Sequence, residues 1–285
     1  MHLRDMTRVA PISLGNGGKT MSDDRLLFEL SDGIAILTLN RPEVMNAFED
    51  GMREALFERL EECAENRDVR CVVITGAGRA FSAGGDIASM AKLQEENDLS
   101  VVEARMSITG QVIQQIRRMP QPVLAAINGA AAGGGMNLAL ACDMRIASDK
   151  AVFAESFVKI GLIPDWGGFD FLSKLVGTAK AMELMMLGDR IDAAEAHRLG
   201  LVNRIVPDDD FRDEAAKLAQ RLADGPPATL AAIKEGVYRG VESTLPETLS
   251  YEYKTQRQLF LRSDAREGMR AFLEKRPAVY GDRDD

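Results

Sequence analysis

Two glycine-rich stretches are the residues of this chain whose spacing can most directly do chemistry: Ala83-Gly84-Gly85-Asp86-Ile87 and Gly133-Gly134-Gly135-Met136. Each follows a strand-like segment and leads toward a helix. A helix N-terminus leaves N–H donors without intrahelical partners and carries the positive end of the peptide dipole. Glycine lets a ligand approach that backbone closely. Two such turns facing one another can hold one oxygen between two N–H groups, which makes an oxyanion hole. The same small residues also serve simply to allow tight turns and close helix packing. Neither stretch has the spacing of a Walker loop or of a complete dinucleotide fingerprint.

Proton chemistry needs a carboxylate. Asp165 stands in Ile163-Pro164-Asp165-Trp166, and the apolar neighbours Phe157, Ile163 and Trp166 are of the kind that raise a carboxyl pKa toward a useful value. The alternative role of Asp165 is to cap a helix beginning near Trp166. Glu155 lies two residues before Phe157; on a strand the two share a face, so Glu155 either reaches a pocket or pairs with an arginine at the surface. Asp86 and Asp143 suit helix-start and turn anchors. His2 and His197 are far apart, which argues against a histidine triad or a histidine-rich metal site, and no metal is expected. Cys63, Cys71 and Cys142 lack metal-ligand spacing and read as free thiols of a reducing cytoplasm.

The elements that must position these residues follow from the pattern. Strands are expected over Arg25–Leu30 and Ile34–Asn40 around the turn signal Ser31-Asp32-Gly33. An amphipathic helix carries Phe48, Met52, Ala55, Leu56, Leu60 and Cys63 on one face. Strand Cys71–Thr75 runs toward the first glycine turn. Glu95–Ser100 is polar and expected as a loop before a helix over Val101–Met119. Strand Pro122–Asn128, a small-residue turn over Gly129–Gly135 and a helix over Met136–Ala141 repeat the theme, and strands near Met144–Ala147 and Ala151–Ala154 follow. Beyond Gly168 the chain is mainly helical. Strand–loop–helix units in series indicate α/β layers with right-handed crossovers. The expected division is a disordered extension over 1–20, a core over 21–222 and a C-terminal helical region over 223–285.

The chain has 285 residues and a net charge of −9. That acidity argues against nonspecific nucleic-acid binding and against a basic membrane-surface helix. No apolar run reaches membrane-spanning length, and Met1–Thr20 lacks the apolar centre of a signal peptide. A cytoplasmic protein is expected.

Taken together, several motifs resemble the crotonase (enoyl-CoA hydratase/isomerase) family: Asn40-Arg41-Pro42 with Asn46-Ala47, Phe81 to Asp86, Asn128-Gly129 through Gly135, Ala141-Cys142-Asp143, Gly161 to Gly168, Leu199-Gly200-Leu201-Val202, and Glu267-Gly268 with Ala271 to Arg276. The resemblance runs from about Arg25 to Ala278. It implies a spiral of ββα units with a C-terminal helical trimerisation region, a coenzyme A thioester as substrate with no separate cofactor, and a homotrimer or hexamer. It places the two oxyanion donors at Ala83 and Gly134. It also implies substrate contacts at Arg41 on the phosphate side, at Asp86 and Ile87 beside the pantetheine and adenine path, and at Phe272 and Lys275, often from a neighbouring subunit.

The two glutamates of the family's hydratases fall at Asn137 and Phe157, and neither is a carboxylate here. Water addition needs a base for water and an acid for the α-carbon, so the departure points away from it. Asp165 instead resembles the acid–base of the family's isomerase branches, with Asn137, Phe157 and Trp166 as its surroundings in the substrate site. The expected reaction is a double-bond shift. The alternatives are a hydratase using Glu155, another chemistry built on the same oxyanion turns, or an acyl-CoA binding protein without turnover. Met90, Met106, Met136 and the polar segment Glu95–Ser100 are expected to line an adaptable acyl pocket.

Overall fold

A computed structural model describes residues 25–281; the expected extension over 1–20 lies outside them. The chain opens with a hairpin, β1 (Leu26–Ser31) and β2 (Ile34–Leu39), paired antiparallel from Leu26↔Leu39 to Ser31↔Ile34. Asp32 and Gly33 both take positive φ, 53° and 79°, the demand of a tight two-residue hairpin turn. Then come α1 (Met52–Glu65), β3 (Cys71–Gly76), β4 (Ala80–Ser82), α2 (Ile87–Glu96), α3 (Leu99–Arg118), β5 (Val123–Ile127), β6 (Ala130–Ala132) and α4 (Gly134–Ala141). After these follow β7 (Met144–Ser148), β8 (Val152–Ala154), a 3-10 turn over Ser156–Ile160, α5 (Gly168–Leu187), β9 (Ile191–Asp192), α6 (Ala193–Arg198) and β10 (Arg204–Val206). The helices α7 (Phe211–Ala223), α8 (Pro227–Gly240), α9 (Leu245–Phe260) and α10 (Ser263–Glu274) complete the described chain.

The strands form two sheets. One has the order β1-β2-β3-β5-β7-β10 and is parallel from β2 onward; the other is β4-β6-β8-β9. Each strand β3, β5 and β7 of the first sheet feeds β4, β6 and β8 of the second, and each pair then leads into helix. Those are repeating ββα units, as the sequence implied. Sheet faces sort by alternation: Ile34 and Ile36 pack with Phe211, Ala215 and Leu218 of α7, while Ala35, Leu37 and Leu39 face the main core with Leu56 and Leu60 of α1. Because both faces are covered, β3 and β5 are apolar nearly throughout.

The structure adds strands that the sequence did not suggest. β4 and β6 consist of Ala-Phe-Ser and Ala-Ala-Ala, without the β-branched residues that mark a strand. The expected polar loop Glu95–Ser100 is only the two-residue break Asn97–Asp98 between α2 and α3, with Asp98 capping α3 through Ser100 and Val101. Glu155 and Phe157 are not on a strand: β8 ends at Ala154 and the chain turns into the 3-10 segment. The shared-face argument for them therefore fails.

The C-terminal helices dock on the core through charge as well as apolar contact. Lys234 of α8 is buried, forms an ion pair with Asp143 at 2.8 Å and donates to the carbonyls of Ile116 and Gln121. Tyr238 donates to the other Asp143 oxygen, and Asp143 also accepts from the Val123 N–H. Leu249, Tyr253, Phe260 and Leu261 of this region are exposed.

Candidate active site

The two glycine turns meet backbone to backbone. A Cβ built on Gly84 falls 2.7 Å from the Ala132 carbonyl oxygen and 3.1 Å from the Gly134 nitrogen. Only glycine allows that approach, and its φ of 89° suits only glycine as well. Gly134 opens α4, so its N–H has no partner within the helix.

The first donor is not where the sequence placed it. The Ala83 N–H donates to the Met45 carbonyl at 2.9 Å. The next residues pair with the Phe48 strand: the Phe48 N–H donates to the Gly84 carbonyl at 2.7 Å and the Asp86 N–H to the Phe48 carbonyl at 3.1 Å. In such a parallel bridge the N–H of Gly85 points away from Phe48, and it meets no partner among the described residues. The free pair is therefore Gly85 and Gly134. Sequence reasoning chose Ala83 by motif; the local pairing of Met45 and Phe48 is what decides between two residues in one turn.

Both amides border a cavity of about 540 Å³ lined by residues of α1, α2, α3, the glycine turns and the segment Ser156–Trp166. Its apolar walls include Ile87, Met90 and Leu93 of α2, Val102 and Met106 of α3, and Phe157, Ile163 and Trp166 opposite. Asn97 and Asp98, from the segment expected as a polar loop, also border it, whereas Met136 is buried in the core.

Asp165 lies on the cavity wall. It does not cap α5, whose N-cap is Gly167 and has no side-chain cap bond. Its main-chain carbonyl accepts from the Asn137 Nδ2 at 2.9 Å and from the Gly168 N–H at 3.0 Å, which fixes the loop. One carboxyl oxygen, Oδ1, is buried without a partner. Burial pushes the carboxyl up to about 6, while the Arg53 guanidinium opposes the rise. Trp166 follows with φ of 52°, stacks on Phe48 at 4.4 Å and lies against Gly134, where an added Cβ falls 2.8 Å from the indole.

Arg53 is a site residue that the sequence reading passed over. It is 6% exposed and lines the cavity, with one long bond from Nη2 to the Phe48 carbonyl at 3.4 Å. A charge beside the apolar stripe at the start of α1 was the only sequence signal for it.

Other expected contacts fall elsewhere. Arg41 is tied into the fold, pairing with Glu49 and Asp86 at 3.1 Å each and donating to the Ala47 carbonyl. Asp86 caps α2 through the Ser89 N–H and is not among the residues lining the cavity. Asn137 is fully buried behind the wall, where its amide holds the Asp165 carbonyl. Glu155 is 1% exposed and off the cavity wall, pushed up to about 8 by burial. Phe272 is 82% exposed on α10, and Lys275 follows as its left-handed C-cap; neither borders the cavity of its own chain. The three cysteines are buried and free, each pushed up to about 12 by burial.

Residues 29–283 match the family model for enoyl-CoA hydratase/isomerase. The chain belongs to that family. A relative from Rhodobacter capsulatus, named "Probable enoyl-CoA hydratase", is 42% identical over 260 residues, covering 91% of this chain and 99% of its own. The Escherichia coli protein named "1,2-epoxyphenylacetyl-CoA isomerase" is 38% identical over 257 residues, covering 90% and 97%. A crystal structure of an enoyl-CoA hydratase from Polaromonas sp. JS666 superposes with a TM-score of 0.85 at 38% identity, covering 90% of this chain and 99% of that one. The enoyl-CoA hydratase/isomerase fold is thus shared over nearly all the described residues, and no helix among them is long and apolar enough to cross a membrane.

Proposed function

We propose that this member of the enoyl-CoA hydratase/isomerase family is an enoyl-CoA isomerase in which Asp165 is the single acid–base group. The supporting observation is a cavity carboxyl raised by burial to about 6, on the same cavity as two free backbone amides, while the other carboxyl on the wall, Asp98, is engaged in capping α3. In a 3-enoyl thioester, the Asp165 carboxylate takes a proton from C2. The negative charge moves onto the thioester oxygen, where the N–H groups of Gly85 and Gly134 receive it. The same carboxyl then returns a proton to C4, giving the 2-enoyl thioester with no net gain or loss. A carboxyl near pKa 6 is ionised at neutral pH, yet its conjugate acid still gives the proton back.

The positions where hydratases of the family carry glutamates hold Asn137 and Phe157, and the isomerase name of the Escherichia coli relative fits the same reading. Water addition is the second reading, favoured by the hydratase names of other relatives. It would need Glu155, a carboxyl buried behind the wall. Coenzyme A is then bound only as part of the substrate, without a separate cofactor, and a cytoplasmic homotrimer or hexamer is part of the same proposal.

The test is product identity. Incubation with a 3-enoyl-CoA panel in deuterated water is followed by conjugation absorbance and mass spectrometry. Conversion to 2-enoyl-CoA supports the proposal, with C4 label falling short of one deuterium where the carboxyl hands on the C2 proton; a hydroxyacyl-CoA product from 2-enoyl-CoA favours the hydratase; binding without conversion overturns both.

A further inference from the structure

Behind the cavity wall, polar atoms are buried together with too few donors among them. Asn137 Oδ1 and Glu155 Oε1 have no hydrogen-bond partner among the described residues, and their residues are 0% and 1% exposed. Turning the Asn137 amide over does not help. Its Nδ2 already donates to the Asp165 carbonyl at 2.9 Å, and the reversed amide would set two carbonyl oxygens against each other. The same Nδ2 is 3.5 Å from Glu155 Oε2. Two acceptors therefore share one buried cluster, and buried acceptors without donors are costly. A carboxyl proton is the donor this cluster can supply.

We propose that Glu155 is a positioning residue: carrying its proton, it donates to Asn137 Oδ1 and so fixes the amide that holds the Asp165 loop. The inference deepens the isomerase reading and rests on Asp165 being the proton carrier. Glu155 is off the cavity wall, so it acts through Asn137 and never touches substrate. Burial keeps its proton on up to about pH 8; the Asn137 contact opposes this and the Asp165 charge adds to it. The charged groups around it are Asp165, Arg53 beyond that, and Lys159 on its own segment, which lies at the surface within 3.7 Å of Asp189. Loss of the proton sets a carboxylate against the Asn137 carbonyl oxygen and against Asp165, and it loosens the loop.

Trp166, the single tryptophan of the sequence, follows Asp165 and reports on that loop without substrate. The experiment is a pH titration of its fluorescence in the full chain for wild type, Glu155→Gln, Glu155→Leu and Asp165→Asn. Wild type is expected to show a step near pH 8. Glu155→Gln supplies an amide donor at every pH, so it should lack the step and keep the low-pH spectrum. Asp165→Asn should retain a step, moved to lower pH because a neighbouring charge is gone. Isomerase turnover gives a second readout: kcat falls by about 10–10²-fold in Glu155→Leu, with KM little changed, and Glu155→Gln restores it. Should Glu155→Leu fail to fold, the Gln variant still decides. A wild type without the step, or a step that survives in Glu155→Gln, overturns the proposal. Full turnover in Asp165→Asn with the Glu155 step intact would instead remove the acid–base role of Asp165 and leave the proton-held amide standing.

Discussion

The side-chain amide of Asn137 donates to the main-chain carbonyl of Asp165 at 2.9 Å, joining the helix that supplies one free amide to the loop that supplies the carboxyl. The Gly134 amide and the Asp165 loop are thus tied through one hydrogen bond, since α4 opens with Gly134 and carries Asn137 one turn later. The first prediction concerns the donors. Gly85→Pro removes the Gly85 N–H and should lower kcat by about 10²–10³-fold, while Gly85→Ala keeps it. The added methyl in Gly85→Ala meets the Met90 sulfur at 2.9 Å, the far end of a flexible side chain, so that variant should remain near wild type. Equal losses in both, measured as kcat on an enoyl-CoA substrate, would exclude Gly85 as a donor.

Gly134→Ala keeps its N–H but should still be slow, because its Cβ lies 2.8 Å from the Trp166 indole and displaces the residue beside Asp165. Single-turnover rates should fall, and thermal stability should fall with them, because the buried indole stacked on Phe48 has to move. A wild-type rate would show that the position of Trp166 is irrelevant to the reaction.

The pH dependence follows from Asp165. Its carboxyl must be ionised to act as base, so kcat/KM should rise as pH rises through about 6. Arg53 opposes the raised value. Arg53→Met should therefore move the acidic limb to higher pH, and a limb that stays in place would show that Arg53 does not sense the Asp165 charge.

Stability should respond to Glu155. Its pKa is near 4.5 when exposed and about 8 when folded. Between those values the unfolded chain has lost a proton that the folded chain retains, so this group lowers stability as pH rises, by roughly 1.4 kcal/mol per pH unit at the steepest. The penalty is absent below the unfolded value and complete above the folded one. Glu155→Gln removes it. The midpoint of the Gln variant in denaturant, relative to wild type, should climb from pH 5 to pH 8; parallel curves would contradict the buried proton.

Much of the fold was legible because long apolar alternations and helical stripes mark β2, β3, β5, α1 and α3 directly. The short strands β4 and β6 were not, since their alanines pair through backbone alone. Within the site, the glycine turns could be read from residue types, and Asp165 was singled out through the family resemblance. The choice between Ala83 and Gly85 could not, because it depends on which N–H the Met45 and Phe48 segments engage. Arg53 was hidden as a charge beside an apolar stripe, where burial is decided by the cavity and not by periodicity. The partners of Arg41, Glu49 and Asp86, were not legible because they are brought together only by folding.

The central claim is that one carboxyl carries the proton. The most direct measurement compares wild type with Asp165→Asn on 3-enoyl-CoA in deuterated water, reading 2-enoyl-CoA formation and deuterium at C4, with acyl-CoA affinity determined alongside. The account predicts a kcat lower by about 10²–10⁴-fold in the variant, with affinity retained and, in wild type, the C2 proton carried in part to C4, so that less than one deuterium enters C4 per turnover. Isomerisation at the wild-type rate in Asp165→Asn would contradict it.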